Sequence, residues 1–398
     1  MINNKKRTFL LIICILLIAL LPRLYCLRTK GLFSYDEAYY LLEAKFFYSL
    51  ITHAHLIAKH LLSEPYDFAY VQSIIQGIPP YSREPLHNLL IALMFFITGV
   101  KDYAPFFLSL IFSILIIWLV YLLGKAFYNS KVGIIAALIL SVSEYFLMYS
   151  RSGRGTVDSI FFFLLGIYFF YLARENKKPE SLLMGSGLSL ALCILCNWKW
   201  LYMLPIVFLL SIFLPQKYKI GSRIKHLFYL FSPVPILMLI VDLPFRIFLK
   251  LKPVPFPVPS YLDLMFSRGS IARNALKELF TSISPHFLFF GYLWDLEGPL
   301  VFIILFSGII YLLVKICRNF SPPDIILLSL FLLPFVAFSM STRGDHPRAI
   351  SITLPFIAII VALTLERLSI TMKKGKVVLS LLLTLIVLYM VCTIAVIW

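Results

Sequence analysis

Two neighbouring carboxylates, Asp36 and Glu37, stand in the stretch Leu32-Phe33-Ser34-Tyr35-Asp36-Glu37-Ala38-Tyr39-Tyr40, directly after the first apolar run. Ser34 followed three residues later by Glu37 is a capping-box pattern, which predicts a helix with Ser34 at its N-cap and Asp36 in its first turn. The partial positive charge of a helix N-terminus favours an ionised carboxylate, the state in which a general base can take a proton. An acidic pair at that position also serves simply to complement the helix dipole, so the chemistry depends on what else is brought near. Further charged residues recur in Arg83-Glu84-Pro85, between Arg151 and Asp158, at Lys199 within Asn197-Trp198-Lys199-Trp200, and at Arg348 after Ser341. Arginine clamps phosphate oxygens through its planar fork, and lysine offers a point charge. Each such cation alone is also what a side chain snorkelling to a membrane boundary looks like, and Asp158 equally suits a dipole partner for the helix it opens.

The elements that must position these residues are membrane helices. A mean hydropathy of +0.91, with 61% hydrophobic and 14% charged residues over 398 positions, predicts an all-α polytopic membrane protein. The net charge of +17 does not imply nucleic acid, because Lys and Arg sit in short clusters between apolar runs. That is the pattern of the positive-inside rule, and it suits anionic lipid head groups. Apolar runs at 8–27, 104–124, 131–150, 157–173, 182–197, 200–214, 227–242, 299–316, 324–340, 349–366 and 376–397 give about eleven spans, each near the length a crossing helix needs. A shorter run, 86–100, is expected as a re-entrant or tilted segment, because the basic clusters at 5–7, 125–131, 174–178, 217–225, 315–318 and 367–376 share one side only if the region 86–124 crosses once. The N-terminus is then inside and the C-terminus outside, as an integral protein of the cytoplasmic membrane.

The chain divides accordingly into an N-terminal anchor (1–27), an outer loop carrying the acidic pair (28–85), a membrane core (86–242), a second outer loop (243–298) and C-terminal helices (299–398). Lys5, Lys6 and Arg7 before an apolar run resemble a signal peptide, but the run continues through Pro22-Arg23-Leu24 without a small-residue cleavage site, which suits an uncleaved anchor. The stretch 39–57 and an amphipathic segment from Ile271 to Ile283, following the run Pro253–Pro259, are read as interfacial helices on the two outer loops. Six cysteines are scattered, and Cys193-x-x-Cys196 falls inside an apolar run, where its spacing only places two small residues on one helix face. There is no Walker loop, no strand-bound Gly-x-Gly-x-x-Gly and no Asp-x-Asp pair for a nucleotide sugar. An activated donor should therefore come from the membrane.

Taken in order, Asp36-Glu37, Glu84-Pro85-Leu86, Arg151 to Asp158, Lys199 and His346-Pro-Arg348 through Leu354-Pro355 resemble the membrane-embedded C-type glycosyltransferases, in particular the protein O-mannosyltransferase and lipid A aminoarabinose-transferase branch. The likeness is closest over residues 8 to 215. It departs at Glu84-Pro85, where relatives commonly carry Lys or a second Pro. The resemblance implies a sugar carried on a polyprenyl or dolichyl phosphate and transferred at the outer membrane face to a lipid, glycan or protein acceptor, with Asp36 as the base. It also implies Arg83, Arg151, Lys199 and Arg348 on the phosphate side, with Glu84 and Asp158 in the site. Relatives vary in holding a divalent metal, so that cofactor stays open, although His53, His55 and His60 are not spaced to converge on one helix face. The competing class is a transporter or flippase for a lipid-linked sugar, which would show related halves and interrupted helices near the midplane.

Overall fold

The computed structural model describes residues 2–29, 31–32, 35–56, 59, 76–77, 84–214, 220–251, 288–339 and 347–397. Every regular element among them is helical. In chain order these are α1 (Ile2–Leu24), α2 (Tyr35–Thr52), α3 (Pro85–Thr98), α4 (Ala104–Phe127), α5 (Ser130–Val142), α6 (Glu144–Ser150), α7 (Thr156–Glu175), α8 (Glu180–Cys196), α9 (Met203–Phe213), α10 (Ile220–Phe231), α11 (Pro233–Leu251), α12 (Leu288–Glu297), α13 (Pro299–Arg318), α14 (Pro322–Ser339), α15 (Leu354–Thr371) and α16 (Gly375–Ile397). Short 3₁₀ turns at Trp198–Tyr202 and Pro347–Thr353 precede α9 and α15.

Seven helical stretches among the described residues are long and apolar enough to cross a bilayer, or eight if the bent pair α5–α6 is one span. The remaining expected runs fall on the shorter apolar helices α8, α9 and α14. Burial sorts them by role. The span Ile350–Thr371, which contains α15, is 94% buried and forms the central column, whereas α16 at 11% and α1 at 22% present most of their surface outward. An apolar helix left that exposed by its own protein is matched to lipid. Around the column α7 pairs with α8, α4 lies along α5 and α7, and α15 packs on α5 and α13.

Three expectations change. The run 131–150 is not one helix: it breaks at Ser143, where the axis turns by 65°. Ser143 is extended, and its hydroxyl accepts the Phe146 amide at 3.0 Å while donating to Glu297, so a second helix starts inside the apolar run. The helix of the apolar run 227–242 does not stop with that run, because α11 continues to Leu251. The stretch 39–57 is helical as α2 through Thr52, but it is packed along α3, with Tyr40, Leu41 and Ala44 buried in the common core. Ser34 and its capping box, Arg83, His60, the proline run and the segment 271–283 lie outside the described residues. The segment 86–100 is the helix α3, 14 residues long, which leaves it short of a crossing.

Candidate active site

At one end of the bundle, residues from distant parts of the chain meet around the start of α2. Asp36 and Glu37 occupy its first turn, as the sequence predicts. Arg348, in the 3₁₀ turn that leads into the central column, places NH1 3.7 Å from Asp36 Oδ2. That is an ion pair too long for a direct hydrogen bond. Both side chains keep partial access, 28% for Asp36 and 17% for Arg348, while the Arg348 Nε is buried without a hydrogen-bond partner. Two of the site residues expected from the sequence, Asp36 and Arg348, are thus brought together from segments far apart in the chain.

Glu37 turns the other way. It is 2% exposed, and its Oε1 accepts the Gly153 amide at 3.1 Å. Gly153 lies in the turn Arg151-Ser152-Gly153-Arg154-Gly155 between α6 and α7, which has no room for a side chain at either glycine. A Cβ on Gly153 would come 2.9 Å from Pro105 Cβ, and one on Gly155 would come 2.5 Å from the Cys196 carbonyl oxygen. The two glycines therefore let the turn slide between α2, α4 and the end of α8. Ser109 of α4 donates to the Ser152 carbonyl at 2.6 Å and fixes the turn from that side.

Beneath the turn is a buried polar pair. His87 of α3 and Asp158 of α7, at 0% and 2% exposure, approach at 2.9 Å between Nδ1 and Oδ2, and His87 Nε2 meets the Gly153 carbonyl at 3.1 Å. Tyr40 stands edge-on to the imidazole at 4.8 Å and donates its hydroxyl to Glu84 at 3.1 Å. Glu84 occupies the N-cap position of α3 and is 4% exposed. Asp158 and Glu84 are therefore buried in the wall of the site. Each carboxylate is kept there by a partner it finds across the fold, Tyr40 for Glu84 and His87 for Asp158.

The remaining candidates separate. Arg151 donates to the carbonyls of Pro22 at 3.2 Å and Tyr25 at 2.8 Å, tying the end of α1 to the turn. Burial lowers the pKa of its guanidinium from the ordinary value. Lys199 is exposed between the buried Trp198 and Trp200, and the Trp200 indole donates to Ser159 at 2.7 Å, holding the segment against the first turn of α7. Arg154 was not singled out by sequence reasoning. Its Nε is buried without a hydrogen-bond partner, and its charge, like that of Arg348, acts on the Tyr149 hydroxyl. The signal available was an arginine flanked by two glycines, which reads as a turn before it reads as a site.

No three His, Cys, Asp or Glu side chains converge among the described residues. Asp36 faces Arg348 and Glu37 faces an amide donor, so the described groups of the acidic pair are not arranged as a ready set of cation ligands. Cys193 and Cys196 are free and buried on α8.

With this geometry in hand, comparison with known proteins is informative. Residues 80–241 match the family model of dolichyl-phosphate-mannose-protein mannosyltransferase. The fold superposes on the archaeal oligosaccharyltransferase AglB from Archaeoglobus fulgidus, solved in complex with an inhibitory peptide and a dolichol-phosphate, with TM-score 0.64 and 15% identity over 98% of this chain and 56% of that one. It also superposes on ArnT from Cupriavidus metallidurans bound to undecaprenyl phosphate, with TM-score 0.59 and 14% identity over 89% of this chain and 60% of the other. A further structure of the Archaeoglobus fulgidus oligosaccharyltransferase, in complex with Zn and sulfate, gives TM-score 0.58 and 16% identity over 96% of this chain and 52% of that one. No curated protein matches the sequence. The fold is that of the membrane-embedded C-type glycosyltransferases. Within that class the sequence resembles the branch of the protein mannosyltransferases and ArnT, and the chain spans between half and three-fifths of the length of the structures it matches.

Proposed function

We propose that the chain is a glycosyltransferase that moves a hexosyl or pentosyl group from a polyprenyl-phosphate-linked donor to an acceptor hydroxyl or amide at the outer face of the membrane. The observation that carries this reading is the Asp36–Arg348 arrangement, a base and a cation 3.7 Å apart with partial access, at one end of a fold shared with proteins captured holding dolichol-phosphate and undecaprenyl phosphate. In the reaction the bond from the anomeric carbon to the phosphate oxygen breaks, and a bond from that carbon to the acceptor forms. Asp36 takes the acceptor proton. The departing polyprenyl phosphate is a stable anion and needs no general acid. Arg348, with Arg154 and the exposed Lys199 at the same end, supplies positive charge where phosphate charge grows. The acceptor is a lipid, glycan or protein, reached from the outer segments, with the N-terminus inside and the protein in the cytoplasmic membrane.

The test is turnover. Purified protein incubated with a panel of radiolabelled polyprenyl-phosphate sugars and candidate acceptors is expected to consume at least one donor and release polyprenyl phosphate. A panel in which every donor stays intact, while the protein exchanges a lipid-linked sugar between leaflets of a vesicle, would overturn the reading in favour of a flippase.

A further inference from the structure

His87 Nε2 faces the Gly153 carbonyl at 3.1 Å, and a carbonyl can only accept, so this nitrogen carries a proton. Nδ1 faces a carboxylate oxygen of Asp158 at 2.9 Å, and two lone pairs at that distance repel, so a second proton lies between them. An imidazolium beside a carboxylate and an imidazole beside a carboxylic acid both satisfy this, and both leave the pair with no net charge. That suits a place where the two side chains are 1% and 2% exposed. The pair is therefore a neutral unit with a fixed direction.

What it points at is the backbone of one residue. The Gly153 carbonyl accepts from His87, and the Gly153 amide donates to Glu37, the neighbour of Asp36. The Tyr40 ring, one turn further along α2, rests on the same imidazole at 4.8 Å. Arg154 follows immediately in the chain. Resting on the glycosyltransferase reading above, we infer that His87 and Asp158 are positioning residues: as a neutral, two-proton unit they pin Gly153 and so hold the acidic pair of α2 in register with Arg154 and Arg348. Asp158 on this account works by the direction of its hydrogen bond and not by its charge.

The substitutions separate these roles. His87→Asn shortens the side chain so that it cannot span both partners, and kcat is expected to fall about 100-fold, as for a misplacement of the reacting group by about 1 Å. In an Asp36→Asn background the same change should add much less than its own factor, because it acts through the pair already disabled. Losses that simply multiply would mean an independent structural effect and overturn the proposal. Asp158→Asn keeps a donor toward Nδ1 and lets a neutral imidazole retain its bond to Gly153, so it should turn over about tenfold faster than Asp158→Ala. Equal loss in both would make the carboxylate itself a participant and overturn the neutral-unit account. Amide exchange of the 151–155 turn, followed by mass spectrometry on the protein without substrate, gives a reading that needs no donor. His87→Asn should speed it about tenfold, and unchanged exchange overturns the pinning even if the donor proposed above proves wrong. Faster exchange in a protein that consumes no polyprenyl-phosphate sugar would uphold the pinning and remove only the donor.

Discussion

The central column α15 has charged clusters at both ends, and they are built differently. Beyond its last turns, Asp324 at the start of α14 is fully buried, held by Lys315 at 2.6 Å and by the Tyr128 hydroxyl at 2.7 Å. Beside it Asn129 donates to Glu366 at 3.1 Å, and Lys131 reaches Ser369 at 2.9 Å. At the other end, Asp36 and Arg348 stand 3.7 Å apart with partial access. The same residue types are used at the first end to lock helices together. At the second, Asp36 and Arg348 stay partly exposed. A buried short pair is closed off from a substrate, whereas a partly exposed pair can be reached by one.

The comparison can be broken by substitutions at either end. Asp36→Asn preserves size, and it is expected to cost about 10²–10⁴-fold in rate, the usual range for loss of a general base. Its melting transition should match the parent, and turnover at parental rate would end the catalytic reading of this end. Asp324→Asn should do the reverse, costing about 3–5 kcal/mol of stability by stranding Lys315 while leaving turnover per folded molecule unchanged. A stable but inactive Asp324 variant would erase the distinction. Arg348→Ala and Arg154→Ala should each weaken transition-state stabilisation with the lipid donor by about 1.5–3 kcal/mol, read as kcat/KM for that donor. Unchanged values for both would take the arginines out of the phosphate site. The smallest effect is expected at Asn129, whose side chain caps α5 by accepting the amides of Lys131 at 2.9 Å and Val132 at 3.0 Å. Asn129→Ala should lower stability by about 1 kcal/mol with no kinetic change, and a kinetic defect there would show the two ends to be coupled.

The helices were legible because burying an apolar run of about 20 residues outweighs every local preference. Their positions and the acidic first turn of α2 follow from the sequence for that reason. The break at Ser143 was hidden, since a serine and a glutamate inside an apolar run change its hydropathy little. What decides the matter is the cap that Ser143 forms with Phe146 and the contact with Glu297, 154 positions away. Asp36 and Arg348 were recognisable as residue types at outer segments, but their approach depends on the folded bundle. His87 directly follows the stretch Arg83-Glu84-Pro85-Leu86 that drew attention by its charges, but its own spacing gave no reason to single it out. Only the structure gives it Asp158, which sits 71 positions along the chain. Glu37 is a catalytic candidate by its place in the acidic pair and a capping residue by its spacing from Ser34, and neither signal reveals its bond to Gly153 across 116 positions.

The tether made by Arg151 also sets an order of events during synthesis. The carbonyls of Pro22 and Tyr25, at the end of α1, receive their donors from a residue 129 and 126 positions later. Arg23 likewise donates to the Ser141 carbonyl, 118 positions on. At roughly 5–20 residues per second the interval is on the order of ten seconds. Through that interval the carbonyls at the end of α1 lack these donors, which arrive only with the bent pair α5–α6 and the turn after it.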